Sequence, residues 1–284
     1  MKRAWFVVGV LGVTLAAGLL LGSCSFLNGE GSSSTLSTRS TTTLGPTTTA
    51  EPTTTEQPTT TVQPTTTVSP TTVSSTSTTL VPATNYTRVP TKDKVVALTF
   101  DAAYDPAPLE DILTALEAAG AEATFFLTGE FVRDFPQWTE RIVDAGYPIG
   151  NHSYSHPDFT TLSEKAMRNE IEKTAAALTK LGADDPKPLF RAPYGALNKK
   201  MLSVLGGEGY FSVYWTIDTL DWKPERTPAQ IKAVVLDKLA PGAIILMHVG
   251  SKQTAQVLPE LLSALGARGY RFANLREALP GAAD

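Results

Sequence analysis

The chain has a single cysteine, Cys24, which rules out any disulfide within it, so the folded part must be held by its core alone. A strong excess of either charge is absent as well. Lys and Arg total 24 against 28 Asp and Glu, a net −4, and this leaves no basic footprint for nucleic acid. Histidine is scarce, with three in 284 residues. Apolar side chains are nearly absent from residues 29–84, so that stretch has almost nothing to bury and cannot build a core.

What is there falls into three parts. Lys2 and Arg3 open the chain, an apolar run covers residues 5–21, and "LGSC" closes it, which is a signal-peptide pattern. The run is close to the short limit for a membrane span, so an uncleaved signal-anchor is the alternative. Leu21-Gly22-Ser23-Cys24 resembles the lipobox of bacterial lipoproteins, in which the cysteine is lipidated and becomes the new N-terminus. Residues 1–24 therefore read as an address to the outside of the cytoplasm, with a membrane-anchored lipoprotein expected and a secreted protein as the alternative. Residues 25–90 read as a disordered Thr/Ser/Pro stalk. Its prolines stand at 46, 52, 58, 64 and 70, and "PTTT" occurs four times. As extended polyproline II, about 55 such residues reach on the order of 170 Å at ~3.1 Å each.

Residues 91–284 have the length of one domain. Strands are expected at 94–100, 123–127, 147–151, 188–191, 210–217, 243–248 and 270–273. Between them lie amphipathic stretches with helix signals. Gly120, Gly146 and Gly182 close three of them, Ser163 and Thr227 stand at N-cap positions, and Pro228 follows at the first helical position. Alternating strands and helices imply a mostly parallel sheet, closed as a (β/α) barrel or open as a doubly wound sheet. Either way, function gathers at the carboxyl ends of the strands.

Reactive residues stand at those ends. Asp101 follows the first strand, and His152 and His156 follow the third in "NHSYSHPD". Arg191 ends the fourth in "RAPYG", Asp218 and Asp221 follow the fifth in "DTLDW", and His248 ends the sixth in "IILMH". All three histidines of the chain are in this set. His152 and His156, four apart, suit a divalent cation such as zinc, with cobalt or manganese as alternatives. Such a cation acidifies bound water and polarises a carbonyl. Asp101 could then act as general base, held ionised and oriented by Arg191. His248 could protonate a leaving group, oriented and kept cationic by Asp221. Tyr194 could offer its backbone N–H to an oxyanion. The sum is metal-assisted hydrolysis of an amide or ester.

The ordered set "TFD", "HSYSH", "RAPYG", "DTLDW" and "LMH" resembles the five motifs of the polysaccharide deacetylases, the NodB-homology domain of carbohydrate esterase family four. The resemblance covers about residues 94–278. It implies a distorted (β/α)7 barrel and hydrolytic removal of acetyl groups from N-acetylated sugars, less often from O-acetylated ones. Residue by residue it implies Asp101 as base, His152 and His156 as metal ligands and Arg191 as the residue that orients the base. It further implies the Tyr194 N–H at the oxyanion, Trp222 and Leu246 as apolar walls for the acetyl methyl, and His248 as acid supported by Asp221. For Trp222 and Leu246, core packing is the competing role. The expected substrate is a cell-wall glycan, peptidoglycan or chitin-like oligomers, because a tethered domain on a long stalk reaches a wall polymer. A monomer is expected, contacting the membrane only through its N-terminal segment.

Two positions depart from the family pattern. The usual second aspartate of the first motif, a metal ligand, is Ala102 here, and His248 is followed by Val249, Gly250 and Ser251 rather than by an aspartate. Both departures resemble the branch of peptidoglycan N-acetylmuramic acid deacetylases. Asp105 is then either a replacement ligand or, preceding Pro106, a helix cap. Ala102 also opens a different alternative, a non-catalytic glycan-binding domain that keeps the fold and groove.

Overall fold

The computed structural model describes residues 81–282. The expected signal segment, the lipobox-like Cys24 and nearly all of the stalk lie outside the described residues. Among the described residues, no helix is long and apolar enough to cross a membrane.

Among the described residues, nine strands pair in parallel throughout. In chain order they are β1 (Asn85–Tyr86), β2 (Val95–Ala102), β3 (Ala123–Leu127), β4 (Ile149–Asn151), β5 (Leu189–Phe190), β6 (Phe211–Val213), β7 (Ile217–Asp218), β8 (Ala243–His248) and β9 (Arg271–Phe272). The sheet order is β1-β6-β5-β4-β3-β2-β8-β7, with β9 also pairing β2. The sheet curls into a half-barrel wrapped by helices, the distorted (β/α)7 arrangement that the alternation and the resemblance implied.

β2 is the axis of the design. All eight of its residues are buried, as expected for a parallel strand covered on both faces. Side chains alternate between faces along a strand. Val96, Leu98, Phe100 and Ala102 join one apolar cluster with Ile112 and Leu116 of α1 (Leu109–Ala119) and Leu258 and Leu261 of α7 (Lys252–Ala267). Ala97 joins a separate cluster with Phe126, Leu189, Val213 and Ile244 on the concave side. Thr99 donates its hydroxyl to the Ile245 carbonyl, 2.6 Å. Asp101 is next in that concave series, so the sheet's alternation aims its carboxylate into the barrel mouth while Ala102 goes to the core.

Local signals set the helix ends. Gly120 ends α1 in the left-handed region, φ 57°, and its N–H closes onto Glu117 and Leu116. Ser163 accepts from Ala166 N–H at the start of α4 (Glu164–Lys180). Thr227 and Gln230 form a full capping box opening α6 (Pro228–Lys238). No helix was expected at α2 (Gly129–Asp134), whose six residues are too few to show a period, or at α5 (Lys199–Gly207), which ends in two glycines. The remaining pair are α3 (Pro136–Asp144), which the sequence does show, and the single turn α8 (Leu275–Ala278).

Two expected boundaries are corrected. The strand read over 210–217 is two strands, because Tyr214 turns its carbonyl to Arg191 and Thr216 donates its N–H to Ile244. The folded part also starts before residue 91. Ala83 is buried and donates to the Leu202 carbonyl, and Ser212 and Tyr214 donate to Thr84 and Tyr86 across the β1–β6 edge. The end of the stalk sequence is thus an edge strand, recognised by its pairing rather than by any apolar pattern of its own.

Candidate active site

Strand register brings the two halves of the site together. Asp101 on β2 pairs by Cα with His248 on β8 and with Phe126 on β3. His152 follows β4 directly and donates its N–H to Leu127, the last residue of β3. Arg191 follows β5, and its N–H bonds the Asn151 carbonyl. Asp101, His152, Arg191 and Asp221 are all buried at this end of the sheet.

Around Asp101 the fixed charge is Arg191. Its guanidinium donates to Asp101 Oδ1 at 2.6 Å and to the Val213 and Tyr214 carbonyls, both at 3.3 Å. It lies over the Phe126 ring, 4.2 Å from the ring centre, with the Trp215 ring centre at 5.9 Å. Burial alone would raise the Asp101 pKa. The charges of Arg191, His152 and His248 and the Arg191 hydrogen bond more than offset this and hold the carboxyl below its ordinary value. Asp101 is therefore ionised at neutral pH.

His152 Nδ1 lies 2.9 Å from the Arg191 carbonyl. A carbonyl only accepts, so Nδ1 carries the proton, and the Nε2 lone pair is left facing Asp101 Oδ2 at 3.5 Å. Burial lowers the His152 pKa, partly countered by Asp101, so the ring is neutral at pH 7. A lone pair aimed at a carboxylate is the contact that a cation between them would satisfy. His156 sits edge-on to His152, with ring centres 4.9 Å apart. Its Nδ1 is buried without a partner, and burial, reinforced by His152, pushes its pKa down to about 4.

These two neutral imidazoles fit a divalent cation as far as they go. A third protein ligand is missing. Among the described residues no three His, Cys, Asp or Glu side chains converge as a metal cage. Ala102 is buried in the apolar cluster, and Asp105 is exposed. The Asp105 carboxylate accepts the Ala107 N–H at 2.9 Å, closing a turn around Pro106. The structure therefore does not bring Asp105 into the ligand set. Nor is Asp105 the helix cap, since α1 begins at Leu109 with Pro108 in the N-cap position.

On the other flank, Asp221 is saturated. It accepts His248 N–H at 2.8 Å, His248 Nδ1 at 2.7 Å and the Thr254 hydroxyl at 2.5 Å. This fixes the Nδ1–H form of His248. Burial opposes charge on the ring, but the hydrogen bond and charge of Asp221, with Asp101, outweigh it and raise the pKa. Asp218 has a different task, accepting Leu220 N–H in the turn before Asp221. Thr254, the third support of this carboxylate, has no signature in the sequence because it arrives from the first turn of α7.

Backbone strain gathers here as well. Among the described residues the non-glycine positions with positive φ are Ser153, His156, Tyr194 and Leu220, all in loops at this end of the sheet. Tyr194 has φ 58°, and its N–H has no backbone acceptor among the described residues, so it stays available to a developing oxyanion. Trp222 is 58% exposed, which removes the core role for it, whereas Leu246 is 4% exposed on the concave face two residues before His248. The sequence reading missed Tyr104, 68% exposed, whose ring stands 6.1 Å from His156 while Tyr194 stands 4.6 Å away on the same ring.

The profile of the polysaccharide deacetylase family matches residues 88–213. The chain is 32% identical over 187 residues to the peptidoglycan-N-acetylmuramic acid deacetylase PdaA of Bacillus subtilis, covering 65% of this chain and 71% of that one. This chain belongs to the polysaccharide deacetylase family. Members of that family are hydrolases acting on carbon–nitrogen bonds other than peptide bonds. The chain is also 37% identical over 184 residues to the peptidoglycan-N-acetylglucosamine deacetylase of Bacillus cereus, covering 63% of this chain and 66% of that one. In structure it resembles a family 4 carbohydrate esterase pseudoenzyme from Bacillus anthracis, with a TM-score of 0.66, 31% identity, and coverage of 70% of this chain and 69% of that one. The family profile ends at Val213, before Asp221 and His248, so the acid-side pair is recognised by its geometry rather than by that match.

Proposed function

We propose that this deacetylase hydrolyses the N-acetyl group of a cell-wall glycan of the peptidoglycan class, with Asp101 as general base and His248 as general acid. The observation that carries it is the pairing of Asp101 and His248 across β2 and β8, each held by its own buried partner in the protonation state its role requires. A divalent cation, zinc in the first instance, would be held by His152 and His156 and would supply an acidified water and a polarised acetyl carbonyl.

The chain's own residues do the rest. Asp101 Oδ1 is committed to Arg191, so Oδ2 is the oxygen free to take a proton from the attacking water. The Tyr194 N–H faces the carbonyl oxygen as it gains charge. His248, protonated and held through Nδ1, offers its Nε2 proton to the departing sugar amine. Trp222 and Leu246 border the acetyl methyl. Because the expected third ligand is Ala102, the cation is held weakly and activity depends on added metal.

A second reading is favoured by two observations. Ala102 removes a ligand, and the structural likeness extends to a pseudoenzyme. Under it the domain binds glycan without hydrolysing it. The N-terminal lipobox-like segment and stalk support an extracytoplasmic, wall-facing location for either reading. The deciding assay is acetate release from peptidoglycan strands and from chitin-like oligomers, with zinc, cobalt or manganese added and with chelator. Metal-dependent release supports hydrolysis. Retained binding without release under any metal supports the second reading. Release from O-acetylated glycan alone would make the protein an ester hydrolase.

A further inference from the structure

The three histidines are not held alike. His152 is anchored through Nδ1 to the Arg191 carbonyl, and His248 through Nδ1 to Asp221. The His156 Nδ1 is buried without a hydrogen-bond partner, and the ring stands edge-on to those of His152, Tyr104 and Tyr194. Its place is therefore inherited from its backbone. That backbone is unusual, with Ser153 at φ 67° and His156 at φ 57°, and a loop bent this way must be held from outside.

One side chain supplies three of the bonds that hold it. Glu170, in the second turn of α4, accepts the Tyr154 N–H at 2.9 Å and the Ser155 N–H at 2.8 Å on Oε2. It accepts the Ser155 hydroxyl at 3.0 Å on Oε1. From the opposite side, Gly129 and Glu130 N–H groups bond the Ser153 and Tyr154 carbonyls at 3.0 and 2.9 Å. Within the loop, Asn151 Oδ1 takes Ser153 N–H at 2.9 Å, and the Ser153 hydroxyl takes His156 N–H at 3.1 Å. The loop is thus clamped between the start of α2 and one carboxylate on α4. Gly129 is required at that clamp, since a Cβ there would fall 2.1 Å from the Tyr154 ring.

We propose that Glu170 is a positioning residue for the deacetylase site, setting where the His156 imidazole stands and so how tightly the two-histidine pair holds a cation. A carboxylate is needed because both its oxygens accept at once; glutamine keeps the length but gives up one acceptor for a donor. The proposal rests on His152 and His156 as the ligand pair described above.

The chain's count of three histidines, all at the site, makes a direct test available. Untagged full-length protein is labelled with ¹⁵N-histidine, and the ring resonances are followed while zinc is titrated. Wild type is compared with Glu170→Gln, Glu170→Ala and, as control, Glu172→Gln on the exposed side of the same helix. In both Glu170 variants the His156 ring signals move while those of His152 and His248 stay, and the zinc midpoint rises about 10–100-fold; Glu172→Gln matches wild type. Unmoved His156 signals in both Glu170 variants overturn the proposal. So do shifts of all three rings together with a lowered melting temperature, which would mark a merely structural carboxylate. If wild type takes up no zinc, the two-histidine metal reading falls by itself, and the His156 signals measured without metal still decide what Glu170 does.

Discussion

The two carboxylates of the site, Asp101 and Asp221, are both buried, both bonded to a cationic partner, and yet placed for opposite work. Asp101 meets a fixed cation, Arg191, wedged between an aromatic ring and two carbonyls, so the carboxyl itself is driven down and stays ionised. Asp221 meets a titratable one, His248, which bonds both its oxygens, with the Thr254 hydroxyl sharing Oδ2, so the effect appears on the imidazole, which is driven up. In the proposed mechanism the permanent partner makes a base and the titratable partner an acid. The environment assigns the role, and the carboxylate alone does not.

The largest expected effect breaks the base side. Asp101→Asn keeps the shape and removes the proton acceptor, so kcat falls by about 10²–10⁴-fold. Bound zinc, measured on the same sample by elemental analysis, is unchanged; its loss would make Asp101 a ligand. His152→Ala, in contrast, loses the zinc.

Next comes the acid side. Activity needs Asp101 ionised and His248 protonated. The rate therefore rises through the depressed Asp101 pKa, below 3.8, and falls through the raised His248 pKa, above 6.5. Asp221→Asn removes the largest contributions that raise His248, leaving the weaker pull of Asp101 and Asp218 against burial, which lowers it. The alkaline limb of kcat/KM then moves to lower pH while the acid limb stays, a difference read from a pH–rate profile.

Arg191→Lys keeps the charge but not the fork or the guanidinium contact over the Phe126 ring. Two carbonyls lose their donor, and the fold weakens by roughly 1–3 kcal/mol, seen in a denaturant titration. The smallest effect is at the rim. Tyr104→Ala and Trp222→Ala raise KM several-fold with kcat little changed, because in the proposed mechanism these exposed rings bind the glycan, Trp222 at its acetyl methyl, without taking part in bond making or proton transfer; equal loss in kcat would place them in the chemistry.

Much of this architecture was readable from the chain because parallel strands end where their chemistry begins. The buried run into Asp101, the three strand-end histidines and the capped helices at Ser163 and Thr227 each carry their own local signal. Short elements do not. α2 has too few turns to show a period, α5 ends in two glycines that read as a loop, and β1 is a strand only because β6 lies beside it. The same limit hid Thr254 and Glu170, which come from helices to hold a site built by loops, and a supporting hydrogen bond leaves no pattern in sequence. It also misplaced Asp105, where the helix-start chemistry of Asp-Pro was legible but the helix began at Leu109, after an intervening turn. Ala102 was noticed as a lost ligand. The fold adds that its side chain lies in the apolar cluster under α1 and α7, on the face away from Asp101.

The central claim is that a carboxylate fixed by Arg191 drives hydrolysis in a site with only two protein ligands for its cation. Acetate released from N-acetylated peptidoglycan strands, measured for wild type and Asp101→Asn at equal bound zinc, tests it most directly. The account predicts release by wild type and none above background by the variant. No release by wild type at full zinc occupancy, or equal release by both, would contradict it.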